Sequence, residues 1–214
     1  MKLIFATGNR GKLREAREIL GEGYELISSA EAGITEDIPE TGSSFRENSL
    51  QKARYIWDRC HTACLSDDSG LEVDALGGAP GIYSARYASM DGNEGSASHD
   101  FDRNIDKLLH ELNALELKAL IEGRPAPERT ARFRCTVTLM IDGEPRFFDG
   151  TIEGKIAYER SGCGGFGYDP VFIPDACPDR TLAEVAEDLK NSMSHRGEAL
   201  RKMAAWLEAH PEGQ

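Results

Sequence analysis

Two stretches of this 214-residue chain hold residue types suited to chemistry on a phosphate. They are the glycine loop FATGNRGK from Phe5 to Lys12 and the paired carboxylates Asp67 and Asp68 in SDDSG. In the first, a short apolar strand runs into a glycine turn and then an amphipathic helix. Gly8 and Gly11 let backbone N–H groups approach an anion at the positive end of that helix, while Lys12 adds a full charge and Asn9 a donor. The loop is not a Walker motif. Only Asn9 and Arg10 separate the glycines, and Leu13 stands where a Walker loop has a Ser or Thr to hold a metal. Taken alone, a tight strand-to-helix turn is the simpler reading, because short glycine motifs recur by chance.

Strand alternation sends Asp67 and Asp68 to opposite faces, so they are not equal ligands of one ion. The expectation is that one faces a cleft and the other its own backbone or an N-cap. Acidic pairs at strand ends are often turn formers. Yet Mg²⁺ is typically held by one or two carboxylates plus substrate phosphates, and an aspartate here would replace the missing Ser or Thr. Glu40 in IPETG is the candidate second carboxylate. Asn48 and Lys52 lie four apart on one helix face, where the bland reading is a solvated stripe. Glu47 has a structural explanation as the far end of an S-x-x-E capping box from Ser44.

Two later stretches suit an aromatic ring with polar edges. GCGGFGYDP offers Phe166, Tyr168 and Asp169 for stacking and an edge contact, unless it is a turn with aromatics in the core. KNSMSHRG gathers Lys190, His195 and Arg196 near a helix N-terminus. Cys60, His61 and Cys64 lack a second pair at zinc spacing, and Cys163 has no evident activating partner. There is no G-x-S-x-G elbow.

The elements that position these residues begin with a helix carrying Leu13, Ala16, the stem of Arg17, Ile19 and Leu20, ended by Gly21 and Gly23. A strand over 24–27 follows. A second helix from Ser44 places Phe45, Ser49, Ala53, Ile56 and Cys60 on one face. ACLSDDSG is expected to be a strand that ends at the aspartates and a glycine turn, and DALGGAPGIYSARY a glycine-rich loop. A third helix is expected roughly from His99 to Leu120. The strand ARFRCTVTLMIDG alternates so that one face is buried, and Asp142-Gly143 signals a hairpin. A C-terminal helix follows NSMSHRG. Alternating strands and helices and then a hairpin give a mixed α/β sheet, in one domain over 1–214.

Composition excludes several classes. The net charge of −12 opposes binding to DNA or anionic membranes, which is carried by clustered Lys and Arg. No apolar run approaches the roughly 20 residues of a membrane span. Five cysteines at irregular spacing do not form a disulfide framework, and the N-terminus lacks signal-peptide character, so a reducing cytoplasm is expected.

Together the segments resemble the inosine triphosphate pyrophosphatase family. The matching stretches are ATGNRGK (6–12), PETGSSFRENSLQKA (39–53), DDSGLEVDALGGAPGIYSARY (67–87), GGFGYDPVF (164–172) and KNSMSHRGEAL (190–200), in family order. The resemblance implies an elongated α/β fold with two lobes around a central groove, usually a homodimer. It implies Mg²⁺-dependent hydrolysis of deaminated purine nucleoside triphosphates (dITP, ITP, XTP) to the monophosphate and pyrophosphate. By match, Thr7, Gly8, Asn9, Arg10, Gly11, Lys12 and Lys52 would hold the triphosphate. Asp68 would be the catalytic carboxylate and a Mg²⁺ ligand, Glu40 a second ligand, and Ser69 a substrate contact. Phe166, Gly167, Tyr168, Asp169, Lys190, His195 and Arg196 would surround the base, and Arg86 is a further phosphate candidate. The segment from Ser89 to Thr130 matches no site motif and is expected to extend the third helix and its exit loop. Two alternatives stand beside this reading: a pyrophosphatase of modified pyrimidine nucleotides, and a nucleotide-sensing module that cuts nothing.

Overall fold

Six strands between Lys2 and Pro174 build one mixed sheet, accompanied by helices. The computed structural model describes residues 1–91 and 100–210. Its elements are β1 (Lys2–Phe5), α1 (Arg10–Leu20), β2 (Glu25–Ser28), α2 (Phe45–Cys60), β3 (Cys64–Val73), α3 (Phe101–Ile121), β4 (Thr130–Ile141), β5 (Glu144–Ile156), β6 (Phe172–Pro174), α4 (Glu187–Met193) and α5 (His195–Ala209). The strands lie in the order β2-β1-β3-β4-β5-β6, with β1 parallel to β2 and β3, and β6 antiparallel to β5. The chain divides into two compact units. The first is Met1–Ser69, Cys135–Thr151 and Asn191–Gln214, and the second is Gly70–Arg134 and Ile152–Lys190.

In the first unit, period-two alternation sorts β1 and β3 between two cores. Leu3, Phe5 and Leu65 join Leu13, Ala16 and Leu20 of α1 and Ala199, Leu200 and Met203 of α5. Ile4, Ala6 and Cys64 face the opposite way, toward Ala53 and Ile56 of α2. Burial pushes the Cys64 thiol up to about 12, so it is an inert packing group. The helix ends follow local chemistry. Asn9 caps α1 by accepting the N–H groups of Gly11 and Lys12, and Gly21, at φ +66°, closes it. Ser44 caps α2, but Glu47 reaches past it to the N–H and hydroxyl of Ser43, so the expected capping box is only half formed. Asp142 and Gly143 both have positive φ, as the hairpin between β4 and β5 requires.

Three expectations are corrected. β3 does not stop at the aspartates: it runs on through Gly70 to Val73. β4 is buried on both faces in its second half, because Thr138 and Met140 lie under α2 while Val137 and Leu139 lie under α1 and α5. The glycine-rich stretch after Val73 is not plain loop. It forms short 3-10 turns over Asp74–Leu76 and Gly81–Asp91. The third helix starts at Phe101; His99, its expected start, lies outside the described residues.

In the second unit, α3 is capped by Asp100 and buries Asn104, Ile105, Leu108 and Leu112. Asn104 is satisfied there by the N–H of Ala88 and the carbonyls of Ser84 and Ala85. Arg129 is buried with its guanidinium on Glu116, Asn113 and the carbonyl of Ala157. No helix among the described residues is long and apolar enough to cross a membrane.

Candidate active site

The two aspartates of β3 point to opposite faces, as alternation requires, and each face gives its carboxylate a different set of partners. Asp68 faces α2. Its Oδ2 accepts the Asn48 amide at 3.0 Å, its Oδ1 accepts the N–H of Ser69, and Lys52 Nζ lies 3.8 Å away. The same ammonium is 2.5 Å from Glu40 Oε1. Residues from the IPETG loop, from α2 and from β3 therefore converge on one small polar cluster.

Asn48 is 1 % exposed and Lys52 7 %, so the expected solvated stripe on α2 is wrong. Both are buried because their partners lie elsewhere in the chain. Besides holding Asp68, Asn48 accepts the N–H of Gly42 at 2.8 Å. Gly42 has no room for a side chain there, since a methyl would lie 2.6 Å from Glu47 Cβ and 2.8 Å from Asn48 Oδ1. This cluster sets the charge states. Burial pushes Asp68 up to about 6, and Glu40 adds to the rise against the pull of Lys52 and Asn48. Burial opposes the charge of Lys52, but Asp68, Asp67 and Glu40 outweigh it and hold the ammonium above its usual range.

Asp67 faces α1 and α5. Lys12 Nζ stands 2.9 Å from its Oδ2 and 3.1 Å from its Oδ1, and Arg196 Nε donates to Oδ2 at 2.9 Å. The expectation that this aspartate serves its own backbone or an N-cap is therefore overturned. Burial works against its charge, yet Lys12, Arg196 and Lys52 hold the carboxyl far below its usual range. Arg196 also donates to Glu15 at 2.7 Å and to Ser69 Oγ at 3.3 Å. Its helix, α5, starts at His195 behind the cap Ser194. Neither Asn48 nor Glu15 was among the residues expected at the site. For Asn48 the one sequence signal was its place four residues before Lys52.

The first loop turns sharply at Thr7, whose Oγ1 accepts the N–H of Asn9 at 3.1 Å. Gly8, Asn9, Arg10 and Gly11 are exposed and Lys12 is half-buried.

The second unit holds the aromatic loop. Asp169 is buried and its Oδ2 accepts the N–H of Phe166 at 2.7 Å and the Lys190 ammonium at 2.5 Å. That ammonium lies 5.0 Å from the centre of the Phe166 ring, which is 53 % exposed. Gly165 and Gly167 both take positive φ, and a side chain on Gly165 would overlap the Asp169 carboxylate. Tyr168 is buried, with its hydroxyl on the carbonyl of Ser84 at 2.9 Å. Lys190 sits in α4 and Arg196 in α5, so the three residues expected together near one helix N-terminus belong to two helices with different partners. Arg86 is half-buried, with its guanidinium 5.3 Å from the Tyr83 ring centre.

Among the described residues no group of three or more His, Cys, Asp or Glu side chains could hold a metal. Asp68 and Glu40, joined through Lys52, offer hard oxygen donors of the kind that hold Mg²⁺ alongside substrate phosphates.

The Ham1 family model matches residues 3–206. A Bacillus subtilis (strain 168) protein named dITP/XTP pyrophosphatase is 45 % identical over 208 residues, covering 96 % of each chain. The solved structure of the Staphylococcus aureus Ham1 protein superposes with a TM-score of 0.83 at 34 % identity, covering 98 % of this chain and 100 % of that one. That of a HAM1 protein from Coxiella burnetii gives 0.84 at 35 % identity, covering 98 % and 99 %.

Proposed function

We propose, for a chain that belongs to the Ham1 family, hydrolysis of deaminated purine nucleoside triphosphates (dITP, ITP and XTP) to the monophosphate and pyrophosphate. The observation that carries this reading is Asp68: a buried carboxylate, fixed by Asn48 and flanked by Lys52 and Glu40, one strand away from a glycine loop bearing Lys12. The name of the Bacillus subtilis relative supports dITP and XTP among these substrates.

In this reading the loop from Thr7 to Lys12, with Lys52, grips the β- and γ-phosphates. Asp68 orients the attacking water and takes its proton, so that attack falls on the α-phosphorus and pyrophosphate leaves as a unit. Asp68 and Glu40 would hold Mg²⁺, which supplies charge neutralisation for the phosphates when bound. Ser69 contacts the substrate beside Asp68. A non-catalytic sensor has no need of a carboxylate held in this way, and that weighs against the sensing alternative.

Phe166 to Asp169, Lys190, His195 and Arg196 take the base. Donors among the last three pair with the 6-keto oxygen of hypoxanthine or xanthine and meet another donor in adenine. A site built around one hydrogen bond discriminates by roughly 10⁴ or more, because the wrong ligand leaves a buried group unpaired. Guanine keeps the 6-keto oxygen, so GTP is the stronger competitor. We place the activity in the cytoplasm, on the irregular spacing of the five cysteines, and in a homodimer, on the family resemblance; light scattering in solution tests the latter. A nucleotide panel with Mg²⁺, assayed separately for pyrophosphate and orthophosphate, tests the whole reading. Release of pyrophosphate from dITP and XTP far ahead of ATP is expected. Preference for a modified pyrimidine triphosphate would move the assignment to the first alternative.

A further inference from the structure

Asp67 is 1 % exposed, Arg196 3 %, and both oxygens of the carboxylate are given to cations. Lys12, Asp67, Arg196 and Glu15 follow one another as an alternating row of charges, with contacts of 2.9, 2.9 and 2.7 Å. A buried carboxylate beside an anion-binding loop is an unfavourable choice on charge alone, since it repels the ligand. A neutral side chain of similar volume would pack as well. The feature that requires the charge is the pair of cations it holds: a lysine whose stem would otherwise sample many rotamers, and a guanidinium whose other arm reaches Ser69.

We infer that Asp67 is a positioning residue, which touches no substrate but fixes Lys12 for the triphosphate and links it to Arg196 and Ser69. The inference rests on the proposed pyrophosphatase reading. When the phosphates arrive they take up Lys12 hydrogen bonds, and Asp67 keeps Arg196 as its second partner, so the carboxylate is never left unpaired in its buried site. Asp67 thus differs in kind from its neighbour Asp68, although the two are adjacent in sequence: one acts on the reacting water, the other on the cations.

A double-mutant cycle tests this. Asp67→Asn and Lys12→Met are made singly and together, and kcat and KM for dITP are measured by pyrophosphate release. With Lys12 present, Asp67→Asn is expected to lower kcat/KM by about thirtyfold or more; with Lys12→Met, the same change should cost about threefold or less. A loss of equal size in both backgrounds, or no loss with Lys12 present, overturns the inference. If Asp67→Asn does not fold, Asp67→Glu decides, because it keeps the charge that both cations need. That variant is expected within about tenfold of the wild type, and a folded Asp67→Glu chain as impaired as Lys12→Met contradicts the role. Failure of the functional reading is distinguishable: it appears in the wild-type products, whereas the cycle reports only whether Asp67 acts through Lys12.

Discussion

Asn48 donates its amide to Asp68 at 3.0 Å and accepts the N–H of Gly42 at 2.8 Å, so one buried residue of α2 ties the Asp68 carboxylate to the loop carrying Glu40. Truncation would strand both partners. Asn48→Ala is expected to destabilise the chain by about 1–3 kcal/mol, the cost of buried groups left without a hydrogen bond, and to lower kcat. Denaturant unfolding and steady-state kinetics check this. An Asn48→Ala chain with unchanged stability would mean that water serves Gly42 and Asp68 equally well.

Asp68 links activity to stability. Its folded pKa, pushed up to about 6 chiefly by burial, lies above its ordinary 3.8, so the folded state holds the proton more tightly than the unfolded one. The stability this contributes is fully present below pH 4 and lost as pH rises through 6, at most about 3 kcal/mol in all. Asp68→Asn removes the titration. In buffer with EDTA, the melting temperature of Asp68→Asn relative to wild type should climb between pH 4 and 7, while turnover, measured separately with Mg²⁺, falls at least about a hundredfold. A pH-independent difference would show that Asp68 titrates normally.

How much of this was legible in the sequence depended on whether the deciding partner was near in the chain. Alternation along Leu65, Ser66, Asp67 and Asp68 correctly assigned the two carboxylates to opposite faces, because that geometry is local. The burial of Asn48 and Lys52 was not legible from helical spacing, although the family match assigns Lys52 to the triphosphate. Helical periodicity counts polar residues as outward, and nothing within α2 reveals Asp68, 20 residues further on, as the group that satisfies Asn48. Gly70 misled in the other direction: a glycine after two aspartates has the composition of a turn, yet it is buried inside a continuing strand. Asp67 was misplaced for the same reason as Asn48, since Arg196 stands 129 residues away.

Gly150 on β5 lets the start of α5 approach. A methyl there would overlap the carbonyl oxygen of His195 and lie 2.8 Å from the N–H nitrogen of Ala199. Gly150→Ala should cost about 1–3 kcal/mol through overpacking and also reduce activity, because the displaced turn carries Arg196. Gly8 is the contrast. Its methyl would meet nothing within 4 Å, so Gly8→Ala should leave the melting temperature nearly unchanged while raising KM. Thermal melts and kinetics of the two variants check the pair, and equal stability losses would contradict the distinction.

Asp169 organises the aromatic loop from within, through the N–H of Phe166 and the ammonium of Lys190. Asp169→Ala should release both. The expected result is a KM for dITP raised by about tenfold or more, with a smaller change in tripolyphosphate inhibition, because the loop is assigned to the base and not to the phosphates. Equal weakening of both ligands would remove that assignment.

Attack of water on the α-phosphorus, under the control of Asp68, is the step on which the proposed reaction turns. Hydrolysis of dITP in ¹⁸O-water with Mg²⁺, followed by mass spectrometry of both products, tests it most directly. One ¹⁸O atom is expected in the deoxyinosine monophosphate and none in the pyrophosphate. Label in the pyrophosphate, or orthophosphate as the primary product, would contradict it.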